Sequence, residues 1–183
     1  LVGSNGADAI NGLGGHDLIC ARGGDDTINP GPGDDTVYSG DGIDVFTWGV
    51  SISDYEGNDT LFGDRGNDEI IDRDGANVAH GGPGRDLIAV TGQAYGDSGD
   101  DYWITATETS PGAHDAYTSG GSGSDGSGVA PGLVDVEGGV ADGGSGNDRV
   151  AVYLASDKAI GGSGSDYLYA NYPGGTGQIL DCG

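Results

Sequence analysis

Basic side chains are nearly missing from this chain: six Lys and Arg stand against thirty Asp and Glu in 183 residues, a formal charge of −24. A surface of that sign repels phosphate backbones, which excludes nucleic acid as a partner. Large apolar residues are also few. Leu, Ile, Val and Phe together number 34, and an acidic chain with under a fifth of such residues does not collapse around a core by itself. No apolar run is long enough to cross a membrane and no signal peptide can be read, so neither an anchor nor an export route is legible. Methionine is absent, and the chain opens on Leu1 and Val2, which reads as a processed chain or a fragment. The H-E-x-x-H zinc signature is absent as well.

What the chain does have is glycine, 41 residues of it, and aspartates that recur at a fixed step. Asp8, Asp17, Asp26, Asp35 and Asp44 lie nine residues apart. Written in frames of nine, Gly3 to Thr47 reads GSNGADAIN, GLGGHDLIC, ARGGDDTIN, PGPGDDTVY and SGDGIDVFT. The fourth column is always Gly and the sixth always Asp; the eighth is Ile10, Ile19, Ile28, Val37 and Phe46. Each frame therefore reads as six residues of tight turn and three of short strand. The eighth residue points inward and its neighbours outward, because strand side chains alternate. Glycine supplies the positive φ that the turn needs and lets carbonyl oxygens crowd toward one point. Carboxylates and carbonyls at close quarters are what calcium takes as ligands, at about 2.3–2.6 Å.

This array resembles the calcium-binding nonapeptide GGxGxDxUx of RTX (repeats-in-toxin, hemolysin-type) proteins. The resemblance implies an all-β fold, a right-handed parallel β-roll or β-solenoid in which two frames make one coil. It also implies calcium held between a turn and the turn eighteen residues later, pairing Asp8 with Asp26, Asp26 with Asp44, and Asp17 with Asp35. The implied ligands are the carboxylates of Asp8, Asp17, Asp26, Asp35, Asp44, Asp59, Asp68, Asp86, Asp101, Asp125, Asp148 and Asp166. With them come the first and third turn columns, at Gly3 and Asn5, Gly12 and Gly14, Ala21 and Gly23, Gly63 and Arg65, Gly81 and Pro83, Gly143 and Ser145, and Gly161 and Ser163.

The array skips and resumes. Asp44 to Asp59 is fifteen residues, after which Asp59, Asp68, Asn77 and Asp86 return to steps of nine, and Asp86 to Asp101 is fifteen again. Two equal skips predict six-residue insertions, as longer strands or bulging loops around Trp48–Ser53 and Val90–Tyr95. Inward positions are expected at Leu61, Ile70, Ala79, Ile88 and Trp103. Asn77 keeps an oxygen but loses a charge, and Ala79 thins the core of that frame, so its calcium site is expected to be weak or empty. The chain divides accordingly into a roll over 1–104, a Gly/Ser-rich irregular or degenerate coil over 105–142, and resumed coils with a cap over 143–183. Within the middle stretch only GGSGSDGSG around Asp125 makes a convincing frame, with Ser127 inward. The phase returns at Asp148, continues through a degenerate frame around Asp157 to Asp166, and an Ile179–Leu180 pair is placed to cap the coil.

Without cations, stacked aspartates repel and the thin core cannot compensate, so the expected calcium-free state is an expanded acidic coil. Each ion removes two charges and ties two turns together, so binding free energy becomes folding free energy. At free calcium tenfold above the dissociation constant each site contributes roughly 1.4 kcal/mol, and about eight sites approach a domain's usual stability of about 5–15 kcal/mol.

Function follows as a calcium-binding extracellular structural module, secreted or at a cell surface, that supports assembly, adhesion or display. A homopolymer or a cell-surface or matrix component is the expected partner. Alternatives are the accessory β-roll of a secreted enzyme (a polysaccharide epimerase, lyase or protease) and a subunit of a calcium-dependent filament. No catalysis is expected. His16 and His80 fall in outward columns and His114 in the irregular stretch, where they read as solvated surface residues, and the repeat already accounts for the paired carboxylates. Tyr38 and Tyr169 fall in outward columns, able to cover the sheet or to contact a sugar or a neighbouring subunit. Ice binding requires a threonine or asparagine column that Asn5, Gly14, Gly23, Pro32 and Asp41 do not make. Cys20 and Cys182 stand about ten coils apart, roughly 45–50 Å in a straight roll, too far for an internal bridge. Free thiols, partners elsewhere, or a head-to-tail bridge between copies remain open.

Overall fold

A computed structural model describes residues 1–47, 57–107, 116–129, 139–152, 157–170 and 179–181. These residues form strands and turns with no helix, and no helix among them is long and apolar enough to cross a membrane. Every strand pairing is parallel. The chain winds as a β-solenoid, a fold of the β-roll kind, with two stacks of rungs facing each other across a thin core.

The first face stacks Ala9–Asn11, Thr27–Asn29, Val45–Phe46, the opening halves of Glu69–Pro83 and Leu87–Ser98, then Trp103–Thr107, Gly126–Val129, Arg149–Val152 and Tyr167–Ala170. The second face stacks Leu18–Cys20, Thr36–Tyr38, Thr60–Phe62, the later halves of Glu69–Pro83 and Leu87–Ser98, then Tyr117–Ser119, Val140–Asp142, Lys158–Ile160 and Ile179–Asp181. The strands inside 105–142 thus join the same two stacks as the rest.

Alternation along three-residue strands buries one side chain per rung. On the first face Ile28, Phe46, Ile70, Ile88, Ile104 and Val150 are buried, and on the second Ile19, Val37, Leu61, Ala79, Ala94, Ala141 and Ala159. Ile10 and Leu168 pack against the two ends of the core. The outer side of the second face carries a ring stack: Tyr38 on Phe62 at 4.8 Å, Phe62 on His80 at 5.2 Å, and His80 on Tyr95 at 4.7 Å between centroids. In-register parallel rungs bring ninth-column residues directly over one another, and this overturns the expectation that His80 is a solvated surface residue. It lies between two rings with Nδ1 3.1 Å from the Asp97 carboxylate.

Two spacing expectations are corrected. Val90–Tyr95 does lie in a longer strand, one of the two forms expected, but the skip from Asp86 to Asp101 is a coil shortened by three residues rather than a frame lengthened by six. Asp72 pairs with Val90 and Asn77 with Gly92, so the corner between them shrinks and Leu87–Ser98 runs from one face to the other as one strand. The first skip, around Trp48–Ser53, lies outside the described residues. Trp103 is not inward: it is 53% exposed, and Ile104 is fully buried in its stead. Tyr102 donates its amide to the Asp86 carbonyl while Leu87 pairs with Trp103. One extra residue at that point is a local bulge; it turns both Tyr102 and Trp103 outward.

Candidate metal centre

Turns entering the first face form one edge of the solenoid, an unbroken column from Gly3–Asp8 to Gly161–Asp166. Along it the sixth-column aspartates build a ladder. Each amide donates to Oδ1 of the next aspartate: Asp8 to Asp26, Asp26 to Asp44, Asp44 to Asp68 and Asp68 to Asp86, all at 2.8 Å. The ladder continues from Asp86 to Asp101 at 2.9 Å, Asp101 to Asp125 at 2.8 Å, Asp125 to Asp148 at 3.0 Å and Asp148 to Asp166 at 3.0 Å. It crosses coils of different lengths without a break.

The second edge, of turns entering the second face, is shorter. Asp17 donates to Asp35, Asp35 to Asp59 and Asp59 to Asn77, at 2.8, 2.9 and 2.9 Å. Asn77 therefore keeps its place in the ladder through its amide oxygen. Beyond it Gly92, Ala116 and Gly139 occupy the aspartate position, until Asp157 returns, accepting from the Gly139 amide.

The other carboxylate oxygen is the informative one. Oδ2 of Asp17, Asp26, Asp35, Asp44, Asp68, Asp86, Asp101, Asp125, Asp148 and Asp166 is buried with no hydrogen-bond partner. A buried anionic oxygen left alone is costly and uncommon. These oxygens share a locus with a backbone carbonyl of the following turn. A side chain at Gly63 would place its Cβ 2.6 Å from both Asp68 Oδ2 and the Gly81 carbonyl oxygen. At Gly143 the corresponding approaches are 2.9 Å to Asp148 Oδ2 and 2.7 Å to Gly161 O, and at Gly3 they are 2.8 Å to Asp8 Oδ2 and 2.5 Å to Ala21 O. Carboxylate and carbonyl oxygens from successive turns therefore converge in the cradle that first-column glycine leaves open. Among the described residues no three His, Cys, Asp or Glu side chains converge, so the donor set is one carboxylate per turn plus backbone carbonyls. Hard, oxygen-only donors with flexible geometry fit calcium.

Not every turn offers the same cradle. Ser39 fills a first-column place and donates its hydroxyl to the Gly63 carbonyl at 2.6 Å, engaging an oxygen that other turns leave open. Ala21 also carries a Cβ there and packs it in the core. Third-column carbonyls already accept once, as when Arg65 receives from Gly42 at 2.7 Å, Pro83 from Gly66 at 3.1 Å and Ser145 from Gly123 at 2.8 Å; a carbonyl's second lone pair stays available. Asp8 ends the column differently. Its Oδ2 accepts the Ser4 amide at 2.6 Å and the Ser4 hydroxyl at 2.9 Å, and these bonds hold its pKa below the usual carboxylate value.

Interior aspartates titrate the opposite way. Burial pushes Asp68 up to about 8, Asp101 to about 7, and Asp59, Asp86 and Asp125 to about 6. Burial also raises Asp35, Asp44 and Asp148, and neighbouring carboxylates add to it. A cation reverses this, since it favours the charged form.

The fourth column is glycine for a reason visible along the edge. A Cβ on Gly42, Gly66, Gly84, Gly99, Gly123, Gly146 or Gly164 would run into the carbonyl of the fourth-column glycine one turn earlier. The second column is looser, since Arg22, Asp64 and Asp97 stand there at φ of +87°, +62° and +69°. The fifth column had no reading in the sequence. Its Asp and Asn side chains accept amides from the next turn, as Asn67 does from Arg85 at 2.8 Å; the recurrent Asn-Asp and Asp-Asp pairs were the available signal.

His16 is exposed beside Asp34. Cys20 is a half-buried free thiol in register with Tyr38. His114, Cys182 and the side chains of Ser127, Ile179 and Leu180 lie outside the described residues.

A search of curated proteins and one of solved structures each returned no significant match. Comparison with family models finds the RTX calcium-binding nonapeptide repeat in four copies, over residues 1–28, 21–46, 54–88 and 142–171. These segments span more than half of the chain and hold most of the aspartate ladder, so the protein is a calcium-binding β-roll that belongs to the RTX nonapeptide-repeat family.

Proposed function

We propose that this roll works outside the cell as a structural module that folds when it meets calcium and then supports assembly, adhesion or display. The observation that carries the reading is the column of buried, unpartnered aspartate oxygens along the first edge. Extracellular calcium modules typically bind at about 10⁻⁴ to 10⁻³ M, so such sites stay empty inside a cell and fill outside it. A chain that remains an expanded coil until then suits passage through a secretion channel. Adhesion has a surface to work with, since Tyr102, Trp103, Tyr167 and Tyr169 are all exposed on the first face. In this reading the ladder aspartates serve as amide acceptors and cation ligands rather than as a catalytic acid and base.

Circular dichroism during a calcium titration tests the reading. The expected outcome is a cooperative coil-to-sheet transition near millimolar calcium. An identical spectrum in chelator and in millimolar calcium rejects it. Hydrolysis of a polysaccharide panel would instead favour an enzyme, and calcium-dependent polymers a filament.

A further inference from the structure

Fifth-column residues of the first edge alternate in kind: Ala7, Asp25, Ile43, Asn67, Arg85, Asp100, Ser124, Asn147, Ser165. Every second one is Asp or Asn, and each of these accepts the amide of its counterpart one turn on. Asp25 Oδ1 accepts from Ile43 at 3.0 Å, Asn67 from Arg85 at 2.8 Å, Asp100 from Ser124 at 2.8 Å and Asn147 from Ser165 at 2.9 Å. Ala7, Ile43 and Arg85 have no acceptor atom to offer, and Ser124 makes no such bond to Asn147. Clamped and unclamped steps thus alternate strictly from the first turn to the last. The sixth-column ladder, by contrast, is present at every step. Asn67 and Asn147 act as Asp25 and Asp100 do, and on the second edge His16 accepts the Asp34 amide through Nδ1 at 3.1 Å, so the clamp needs a side-chain acceptor two bonds from Cβ and no charge.

We infer that the fifth-column Asp and Asn residues are positioning residues that sort the first-edge calcium sites into two alternating classes, tight between clamped turns and weak between unclamped ones. This rests on calcium filling that edge, as proposed above. Two turns already joined by a side chain lose less freedom when an ion binds between them, and they separate less readily when it leaves; preorganisation of this kind acts mainly on the dissociation rate. One hydrogen bond of ordinary strength corresponds to roughly two- to tenfold in that rate. The clamp is argued to act through the turn and not as a ligand, because Asp25, Asn67, Asp100 and Asn147 are exposed while Oδ2 of the neighbouring aspartates is buried.

The test is calcium release from the saturated full chain into excess fluorescent chelator by stopped flow, counting ions in each phase. Asn67→Ala should move one ion from the slow phase to the fast one, with release quickening roughly two- to tenfold. Asn67→Asp should keep the ion slow, and Ser124→Asn should add one ion to the slow phase. Unchanged phase amplitudes in both Asn67→Ala and Ser124→Asn, with the total number of ions preserved, would overturn the inference and leave the calcium reading intact. A chain that binds no calcium would overturn both. If Asn67→Ala does not fold, Ser124→Asn still decides, because it adds a bond instead of removing one.

Discussion

Replacing Asp68 by Asn separates two duties that aspartate performs at once. Asp68 is 2% exposed, its Oδ1 accepts the Asp44 amide at 2.8 Å, and its Oδ2 has no partner. Asparagine retains the acceptor, as Asn77 shows by accepting from Asp59 at 2.9 Å, and removes the charge. At pH 7 the unfolded chain carries this carboxyl ionised, whereas burial pushes its pKa in the roll up to about 8. Folding without metal must therefore take up a proton, at a cost on the order of 4 kcal/mol. Asn avoids that cost but leaves its amide nitrogen buried, a penalty of about 1–3 kcal/mol, so the calcium-free roll gains roughly 1–3 kcal/mol. With calcium present the sign reverses. Losing an anionic ligand that borders two stacked turns should weaken two sites by at least tenfold each, about 1.4 kcal/mol per site. Circular dichroism reads both arms: osmolyte-driven folding in chelator, which strengthens burial without metal, and urea unfolding in millimolar calcium. The variant should need less osmolyte in the first and less urea in the second. If it needs more osmolyte in chelator, Asp68 is held for its hydrogen bond and not for a cation, and the reasoning fails.

Acidity should act oppositely on the two states. The raised pKa values mean the calcium-free roll is most stable below the unfolded carboxylate value of 3.8 and loses stability as pH rises through about 6 at Asp86 and Asp125, 7 at Asp101 and 8 at Asp68; calcium must displace those protons, so its folding midpoint should climb as pH falls from 8 to 5, and a midpoint independent of pH would contradict this. Gly123→Ala places a methyl against the Gly99 carbonyl at φ +140° and should cost more than about 3 kcal/mol in calcium, whereas Gly6→Ala in the same column has nothing within 4 Å and should be nearly neutral; urea midpoints compare them. Ile104→Ala should cost about 2–5 kcal/mol as a buried truncation and Trp103→Ala less than about 1 kcal/mol, in the same assay. Equal costs would refute the bulge at Tyr102.

The repeat made the turn and strand of each frame legible because its columns report three separate constraints. Column four is fixed by steric exclusion against the preceding turn, column six by the ladder, and column eight by the core. Where one column loosens, the others still hold the phase: Asn77 stays in the ladder and Ala79 stays fully buried. Spacing alone misplaced the second skip, since a step of fifteen is compatible with nine plus six and with eighteen minus three. Only the pairing of Asn77 with Gly92 distinguishes them. Trp103 was misplaced because a one-residue bulge inverts inside and outside without altering composition. The fifth column was invisible as a column because its acceptor is needed at alternate turns only, so counting identical residues dilutes the signal.

The two edges differ because the coil has two ways to close a corner. At the second edge Asp72 holds the rung position that Val90, Ala106 and Val152 occupy in later coils, and those three are buried at 2%, 0% and 0%. These apolar residues add side chains to the core at that corner. The loss of aspartate at Gly92, Ala116 and Gly139 begins with the arrival of Val90 and Ala106, while Val152 stands in the coil to which Asp157 returns; the second-face residues Ala94, Thr118 and Ala141 are fully buried. The first edge never makes that exchange. Its ladder passes through coils of fifteen, eighteen, twenty-three and twenty-four residues at nearly constant hydrogen-bond length, so it fixes the register of the stack, and apart from the one-residue bulge at Tyr102 the changes in coil length fall between the first face and the second. The first edge is the better register keeper because each of its aspartates must meet the amide of the turn before it, whereas apolar contact at the other corner is not directional. Among the described residues the first edge therefore keeps its aspartates from turn to turn, whereas the second edge loses and regains them.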